Sequence, residues 1–334
     1  MSKSRISSVS ASQIAQRMDA FRTAGDMAHA LEHAELLRQK KPKNRPALER
    51  AASLFIDEEH LSQAKDVVGF LAEAFPLNGY LLFLQCRVAY MERDYERALS
   101  LAWQALKRGD TASWQTALLH NITARMYREI GEPEKASQHY LAATDCENNP
   151  GMLSDYSNYL MNLHYWNLSR EELFAASEGY ERFFAKVEPY VHEQLREHEK
   201  LRIGYISPDL RFHVVLFFSY ALFKSYDRNR FEVYAYANCR EDVASEEIAA
   251  SIDGWRNICL LEPAQAAKLI YEDEIDILVE LAGHTANNCL PILAYRPAPV
   301  QVCGIGYFNT TGLPTVDYFL ADSYTAPPGL NDDY

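Results

Sequence analysis

Four alanines set the tightest constraint on how this chain folds. Ala30, Ala64 and Ala98 are spaced by 34 residues, and Ala136 follows 38 later. Each belongs to a short apolar motif: ALEHAELL, AKDVVGFL, ALSLAWQAL and ASQHYLAA. Pro42 and Pro76 fall twelve residues after their alanines; Asp110 and Asn148 hold the same slot later, with Pro150 just beyond. Ala52, Cys86 and Ala124 lie twelve residues before their alanines, and Phe55 and Tyr127 fill a bulky position three further on. From about Ser12 to Tyr190 glycines are few and apolar residues recur every three or four positions, which predicts helices. A small residue at a fixed place lets two helices approach closely. Each helix pair then buries its apolar face only against the next pair.

A helix–turn–helix period of 34 with a small residue in the second helix and Pro at its end is the tetratricopeptide signature. The competing reading is an irregular helical bundle. Such arrays bind peptides or proteins along a concave face. Trp103, Trp114 and Tyr140 are expected in the core rather than on that face. Ser169 with Glu172 forms a capping-box signal for a helix over 170–185. The polar stretch 188–200, with Pro189, is the expected domain junction.

Beyond Leu201 the period changes. Apolar runs over 201–206, 231–237, 255–260, 275–281 and 300–307 read as strands. Helical stretches over 216–226, 245–252, 264–272 and 288–295 lie between them. This alternation predicts βαβ units on a parallel sheet, and runs such as ILVEL suit strands covered on both faces.

The formal net charge of -13 argues against nucleic acid or an anionic membrane as the main partner. The six cysteines form no CxxC pair and no zinc spacing, so no metal site is expected. The N-terminus has no apolar signal core, and no run approaches a membrane span. The expected setting is cytoplasmic.

In parallel sheets, ligands sit beyond the carboxyl ends of the strands. Three loops gather chemistry there: Ser207-Pro208-Asp209-Leu210-Arg211-Phe212-His213, Ala282-Gly283-His284-Thr285, and Gly306-Tyr307-Phe308-Asn309-Thr310-Thr311-Gly312. Imidazoles can hydrogen-bond a sugar or move a proton near pH 7. Glycine N–H groups allow close approach. Structural readings stand beside these: Asp209 as a helix cap, Thr310 and Thr311 as caps of their turn, His284 as a packed hydrogen-bonder. GxGxxG after the first strand and the P-loop motif are both missing, which argues against simple dinucleotide or P-loop chemistry.

The segments LRIGYISPDLRFH, FEVYAYAN, IDILVELAGHTANN, RPAPVQV and GYFNTTGLPTVDYFLAD resemble the protein O-linked N-acetylglucosamine transferases, above all their SPINDLY-like branch. The resemblance implies an inverting, metal-independent glycosyltransferase with no cofactor beyond its UDP-sugar donor. Its catalytic part would be a GT-B arrangement of two Rossmann-like halves, with the tetratricopeptide array presenting the acceptor polypeptide. It implies a catalytic role for His213. Substrate contacts are implied for His284 and Thr285, and for Gly306, Tyr307, Thr310 and Thr311 of the last turn. That turn departs from the family's GYPGT: Phe308 stands for the proline and Asn309 for the glycine, with Asn309 expected to take the positive φ.

The expected organisation is a disordered N-terminus over 1–11, tetratricopeptide-like repeats over 12–150, a helical linker over 151–200 and one Rossmann-like half over 201–334. The nucleotide-holding C-terminal half is expected as a partner outside this chain, whether the chain is a fragment or a natural short form. The cleft face of a lone half should expose apolar surface and favour association. The alternatives are a non-catalytic protein-binding scaffold and a related transferase using another nucleotide sugar.

Overall fold

The computed structural model describes residues 9–192, 198–327 and 329. The chain divides into two units, Met1–Met152 and Leu153–Tyr334.

The first unit is built from helix hairpins: α1 (Ala11–Thr23) with α2 (Met27–Lys40), α3 (Arg45–Asp57) with α4 (Leu61–Ala74), α5 (Gly79–Met91) with α6 (Tyr95–Arg108), and α7 (Ser113–Glu129) with α8 (Pro133–Thr144). Residues 1–8 lie outside the described residues. Ser10, within the segment expected to be disordered, caps α1 through a reciprocal pair with Gln13. Asp26, Asn44, Asn78 and Asp94 cap later helices with their side chains.

The repeat is written in the backbone as well as in the alanines. Gly25, Glu59, Arg93 and Gly131 adopt positive φ at the turn inside each hairpin, at the same 34, 34 and 38 spacing. The last interval is longer because α7 has 17 residues where α3 and α5 have 13. Ala30, Ala64, Ala98 and Ala136 are fully buried, as are Ala52, Cys86 and Ala124. A larger side chain at any of these would wedge the hairpins apart, at a cost of about 1–3 kcal/mol. Tyr140 is buried, but Trp103 and Trp114 are 49% and 42% exposed. That corrects their expected place in the core. Trp103 packs edge-on against His139 and reaches Tyr127, and Trp114 packs edge-on against buried Phe83, so each indole covers an aromatic neighbour from the surface.

The second unit begins with α9 (Met152–Leu163) and α10 (Arg170–Glu178), then carries a six-stranded sheet. Its strands are β1 (Leu201–Ser207), β2 (Phe231–Ala237), β3 (Gly254–Asn257), β4 (Ile277–Glu280), β5 (Val300–Gly304) and β6 (Tyr318–Leu320). The connections are α11 (Val214–Lys224), α12 (Val243–Ala249), α13 (Pro263–Glu272) and α14 (Leu290–Leu293). All pairings are parallel, in the order β3-β2-β1-β4-β5-β6. This is the order of doubly wound sheets, in which the chain reverses direction between β1 and β4 and leaves a crevice there.

Two features differ from the sequence reading. The strand β6 was not foreseen. It is an edge strand with exposed side chains, held by Arg296, whose guanidinium donates to the carbonyls of Pro299 (3.0 Å) and Thr315 (3.2 Å) and to Asp317 (2.8 Å). Asp317 in turn accepts from the Gln301 amide of β5 at 2.8 Å.

Residues of the segment expected as a linker, from Leu153 on, fall within the second unit and contact it. Tyr190 N–H donates to the Tyr295 carbonyl at 2.8 Å, and its ring stacks on Tyr271. His192 meets the Arg296 carbonyl at 2.9 Å. His198 meets Asp276, which also accepts from the Arg202 amide. Residues 193–197 lie outside the described residues. Helix α10 starts at the expected capping box, Ser169 with Glu172, but stops at Glu178 and passes into a short 3₁₀ turn over 181–184.

Candidate functional site

The loops after β1, β4 and β5 share one rim, because those strands are neighbours and run the same way.

After β1, Ser207 Oγ accepts from the Asp209 amide at 3.0 Å and turns the chain. Leu210 is buried, and its carbonyl accepts from Ser245 Oγ. Asp242, the N-cap of α12, takes the Phe212 amide at 2.8 Å. The loop is thus pinned at both ends, leaving His213 half-exposed as the N-cap of α11. Its Nδ1 accepts from the Val215 amide at 3.3 Å and lies 3.4 Å from Asp209 Oδ1. Asp209 does not cap the helix. It is buried behind His213, and burial pushes its carboxyl above the usual range.

After β4, the Gly283 amide donates to buried Glu280 at 2.6 Å. Cys303 Sγ donates to the same oxygen at 3.3 Å, and the second oxygen has no hydrogen-bond partner among the described residues. Burial raises Glu280 to about 7. Gly283 has φ +54, and a Cβ there would overlap the Tyr307 ring. His284 is buried. Its Nε2 lies 2.9 Å from the Thr311 carbonyl, which can only accept, so Nε2 carries the proton. Nδ1 therefore accepts from Ser157 Oγ at 3.0 Å. Tyr180 and Tyr307 pack edge-on against the imidazole. Burial lowers its pKa to about 4 and keeps it neutral. Thr285 is half-buried, with its hydroxyl on the Ala282 carbonyl.

After β5, the left-handed non-glycine residue is Ile305, at φ +73, rather than Asn309. Positive φ strains a β-branched residue. Asn309 works through its side chain, accepting the Thr310 amide at 2.8 Å. Thr310 and Thr311 hydroxyls accept from the Gly312 and Leu313 amides. Gly312 has φ +67, and a Cβ there would strike the Ser177 carbonyl at the end of α10. Phe308 is exposed, with the His164 ring 4.6 Å away.

The predicted site residues therefore separate by depth. His213, Thr285, Gly306 and Thr310 reach the rim. His284, Tyr307 and Thr311 are buried, and their polar atoms are turned toward other parts of the second unit. Sequence reasoning missed Ser157, His164 and Tyr180, which brace this cluster from the supposed linker. The available signal was the buried polar residues Ser157 and Asn162 on the apolar stripe of α9.

Two cavities open here. One of about 900 Å³ is bounded by His164, Phe174, Phe308, Thr310 and Tyr324. The other, about 400 Å³, collects residues from the loops after β1 to β4.

Residues 183–334 match the model of glycosyl transferase family 41. Two similar curated proteins are the SPINDLY proteins of Arabidopsis thaliana and Oryza sativa subsp. japonica, each named a probable UDP-N-acetylglucosamine–peptide N-acetylglucosaminyltransferase. The first is 39% identical over 180 residues, 51% of this chain and 20% of the relative. The second is 44% identical over 133 residues, 38% and 14% respectively. The aligned part is thus about a fifth or less of each relative's length. An O-GlcNAc transferase of Thermobaculum terrenum shares the fold over 96% of this chain and 55% of its own, with a TM-score of 0.64 and 24% identity. The fold is that of a helical-repeat unit followed in the chain by a parallel-sheet α/β unit. Through its second unit the chain is similar to glycosyl transferase family 41.

Proposed function

We propose that this chain works in the transfer of N-acetylglucosamine from UDP-GlcNAc to Ser or Thr hydroxyls of polypeptides. The helical array would bind the polypeptide, and the Rossmann-like sheet would form one wall of the transfer site. The carrying observation is the meeting of the SPDLRFH, AGHT and GYFNTTG loops at the carboxyl ends of adjacent parallel strands. The names of the relatives support the donor and acceptor classes.

In the step itself, the acceptor oxygen bonds to the anomeric carbon as the bond to the diphosphate breaks. The electron pair leaves with UDP, and the hydroxyl proton passes to a base or to solvent. His213 is the proposed catalytic residue. With Nδ1–H donated to Asp209, Nε2 is free to accept a proton; with Nδ1 accepting from Val215, Nε2–H can bind the sugar. Thr285, Gly306 and Thr310 are proposed substrate contacts. His284, Tyr307 and Thr311 are proposed to position the two turns. The reaction is proposed to need no metal and no resident cofactor. The cytoplasm suits the free thiols of Cys86, Cys239, Cys289 and Cys303.

A transfer assay on the protein, with UDP-GlcNAc and other nucleotide sugars offered in parallel, tests this reading. His213→Ala should lower turnover by about 100-fold or more. Equal activity in that variant would move catalysis elsewhere. Transfer from a different donor would reassign the sugar, and no transfer from any donor would favour the protein-binding scaffold.

A further inference from the structure

The 400 Å³ cavity holds two arginines that the transfer reading does not use. It is lined by Arg211 after β1, Asn238, Cys239 and Arg240 after β2, Cys259 after β3, and Asn287 and Asn288 after β4, with Pro208. It therefore lies over the place where the sheet reverses direction, where parallel sheets bind ligands. In a chain of net charge -13, its lining has two cations and no acid.

Neither guanidinium has an ion-pair or hydrogen-bond partner among the described residues. Arg202, Arg228, Arg256 and Arg296 of the same unit each meet a carboxylate. The acids near the cavity hydrogen-bond or pair with other groups. Asp209 meets His213; Glu241 accepts from Trp255 Nε1 and Asn257 Nδ2, both at 2.8 Å; Asp242 accepts from the Phe212 and Ser245 amides. The two sides of the cavity are tied together by Asn238 Nδ2, which donates to the Asn287 carbonyl at 3.1 Å. Asn287 is held at φ +59, and its own amide is exposed without a partner among the described residues.

Two like charges share one cavity with no carboxylate in ion-pair reach, Asp209 acting on Arg211 only at longer range, and neutral amide donors stand beside them. We propose that this cavity is an oxyanion site that takes a phosphoryl group between Arg211 and Arg240. Guanidinium forks match phosphate oxygens in pairs, and an anion would relieve the repulsion between the two cations. Anion binding here is independent of the transfer chemistry and of which sugar is moved. The phosphoryl group could come from a free phosphate ester or from a phosphorylated side chain of a bound polypeptide.

The test is calorimetric titration of the 334-residue chain with inorganic phosphate and, in parallel, with a phosphoserine peptide. Saturable binding is expected, weakening with added salt. Arg211→Gln or Arg240→Gln should weaken it about tenfold or more, and the double variant should abolish it. Both side chains line an open surface, so these variants should fold; circular dichroism checks this. Asn287→Asp, which tolerates the same backbone, should also abolish binding by placing an acid in the site. Tighter binding of the peptide identifies the source as a polypeptide, and equal binding a free ester. Absence of saturable binding to either probe, or binding unchanged in the double arginine variant, overturns the assignment.

Discussion

Ser157 Oγ lies 3.0 Å from His284 Nδ1 and joins α9 to the turn after β4 across 127 residues of chain. With Nε2 on the Thr311 carbonyl, the imidazole is a three-way strut between a helix and two turns of the rim. Removing it leaves a cavity among tyrosines and two unmet polar groups. His284→Ala should therefore destabilise the second unit by about 3 kcal/mol, and Ser157→Ala by about 1 kcal/mol. Urea unfolding followed by hydrogen exchange of β4 and β5 amides measures both. Unchanged stability in the His284 variant would return this residue to the ligand-contacting set.

Glu280 and His284 stand four residues apart and bias stability in opposite directions with pH. His284 falls from 6.5 to about 4 on folding. Between those values only the unfolded chain holds the proton, so this contribution is full above 6.5 and is lost as pH falls toward 4. Glu280 rises from 4.5 to about 7. Between those values only the folded chain holds the proton, so its contribution is full below 4.5 and is lost as pH rises to 7. The two slopes oppose one another from 4.5 to 6.5, and the wild-type protection of β4 amides should vary little there. Glu280→Gln should expose the histidine slope, with protection rising steeply from pH 4 to 6.5 and no decline toward 7. A flat profile in that variant would contradict the buried-neutral state of His284.

Arg296 is the clasp of the edge strand. Its contacts to Pro299, Thr315 and Asp317 explain why RPAP and PTVDY act together, since each alone is an ordinary turn. Arg296→Ala should release β6, raising exchange at residues 318–320 at least tenfold while β1 and β2 keep their protection. Arg296→Lys should restore little of it, because one ammonium cannot meet three acceptors in a plane.

The sequence made the repeat and five strands legible because both are periodic. The buried alanines recur at fixed spacing, and strands such as ILVE are apolar runs bounded by turn residues. It hid β6, whose Tyr318, Phe319 and Leu320 are exposed and whose place depends on Arg296 far from it in sequence. It also hid the role of 153–192. Helical periodicity shows which face of α9 is apolar, but not that Ser157 on that face will meet a histidine more than a hundred residues later. At the rim, residue type was readable and depth was not. Nothing in AGHT distinguishes a histidine aimed at substrate from one closed between Tyr180 and Tyr307.

Helix α11 carries an apolar stripe that its own fold leaves uncovered. Leu216, Ser219 and Phe223 face the core, whereas Val214, Phe217 and Phe218 are exposed, the two phenylalanines by 69% and 75%. Positions 214, 217, 218 and 221 lie three and four residues apart and so share one face. Phe212 extends this ridge, its ring edge-on to Phe217, beside His213. Contiguous exposed aromatics of this kind drive association of a soluble protein. The chain should therefore show a rising apparent mass with concentration in static light scattering. The double variant Phe217→Ser, Phe218→Ser should lower that rise without loss of helix content, because neither side chain supports the core. A wild-type chain that stays monomeric at high concentration would show that the ridge is shielded in solution.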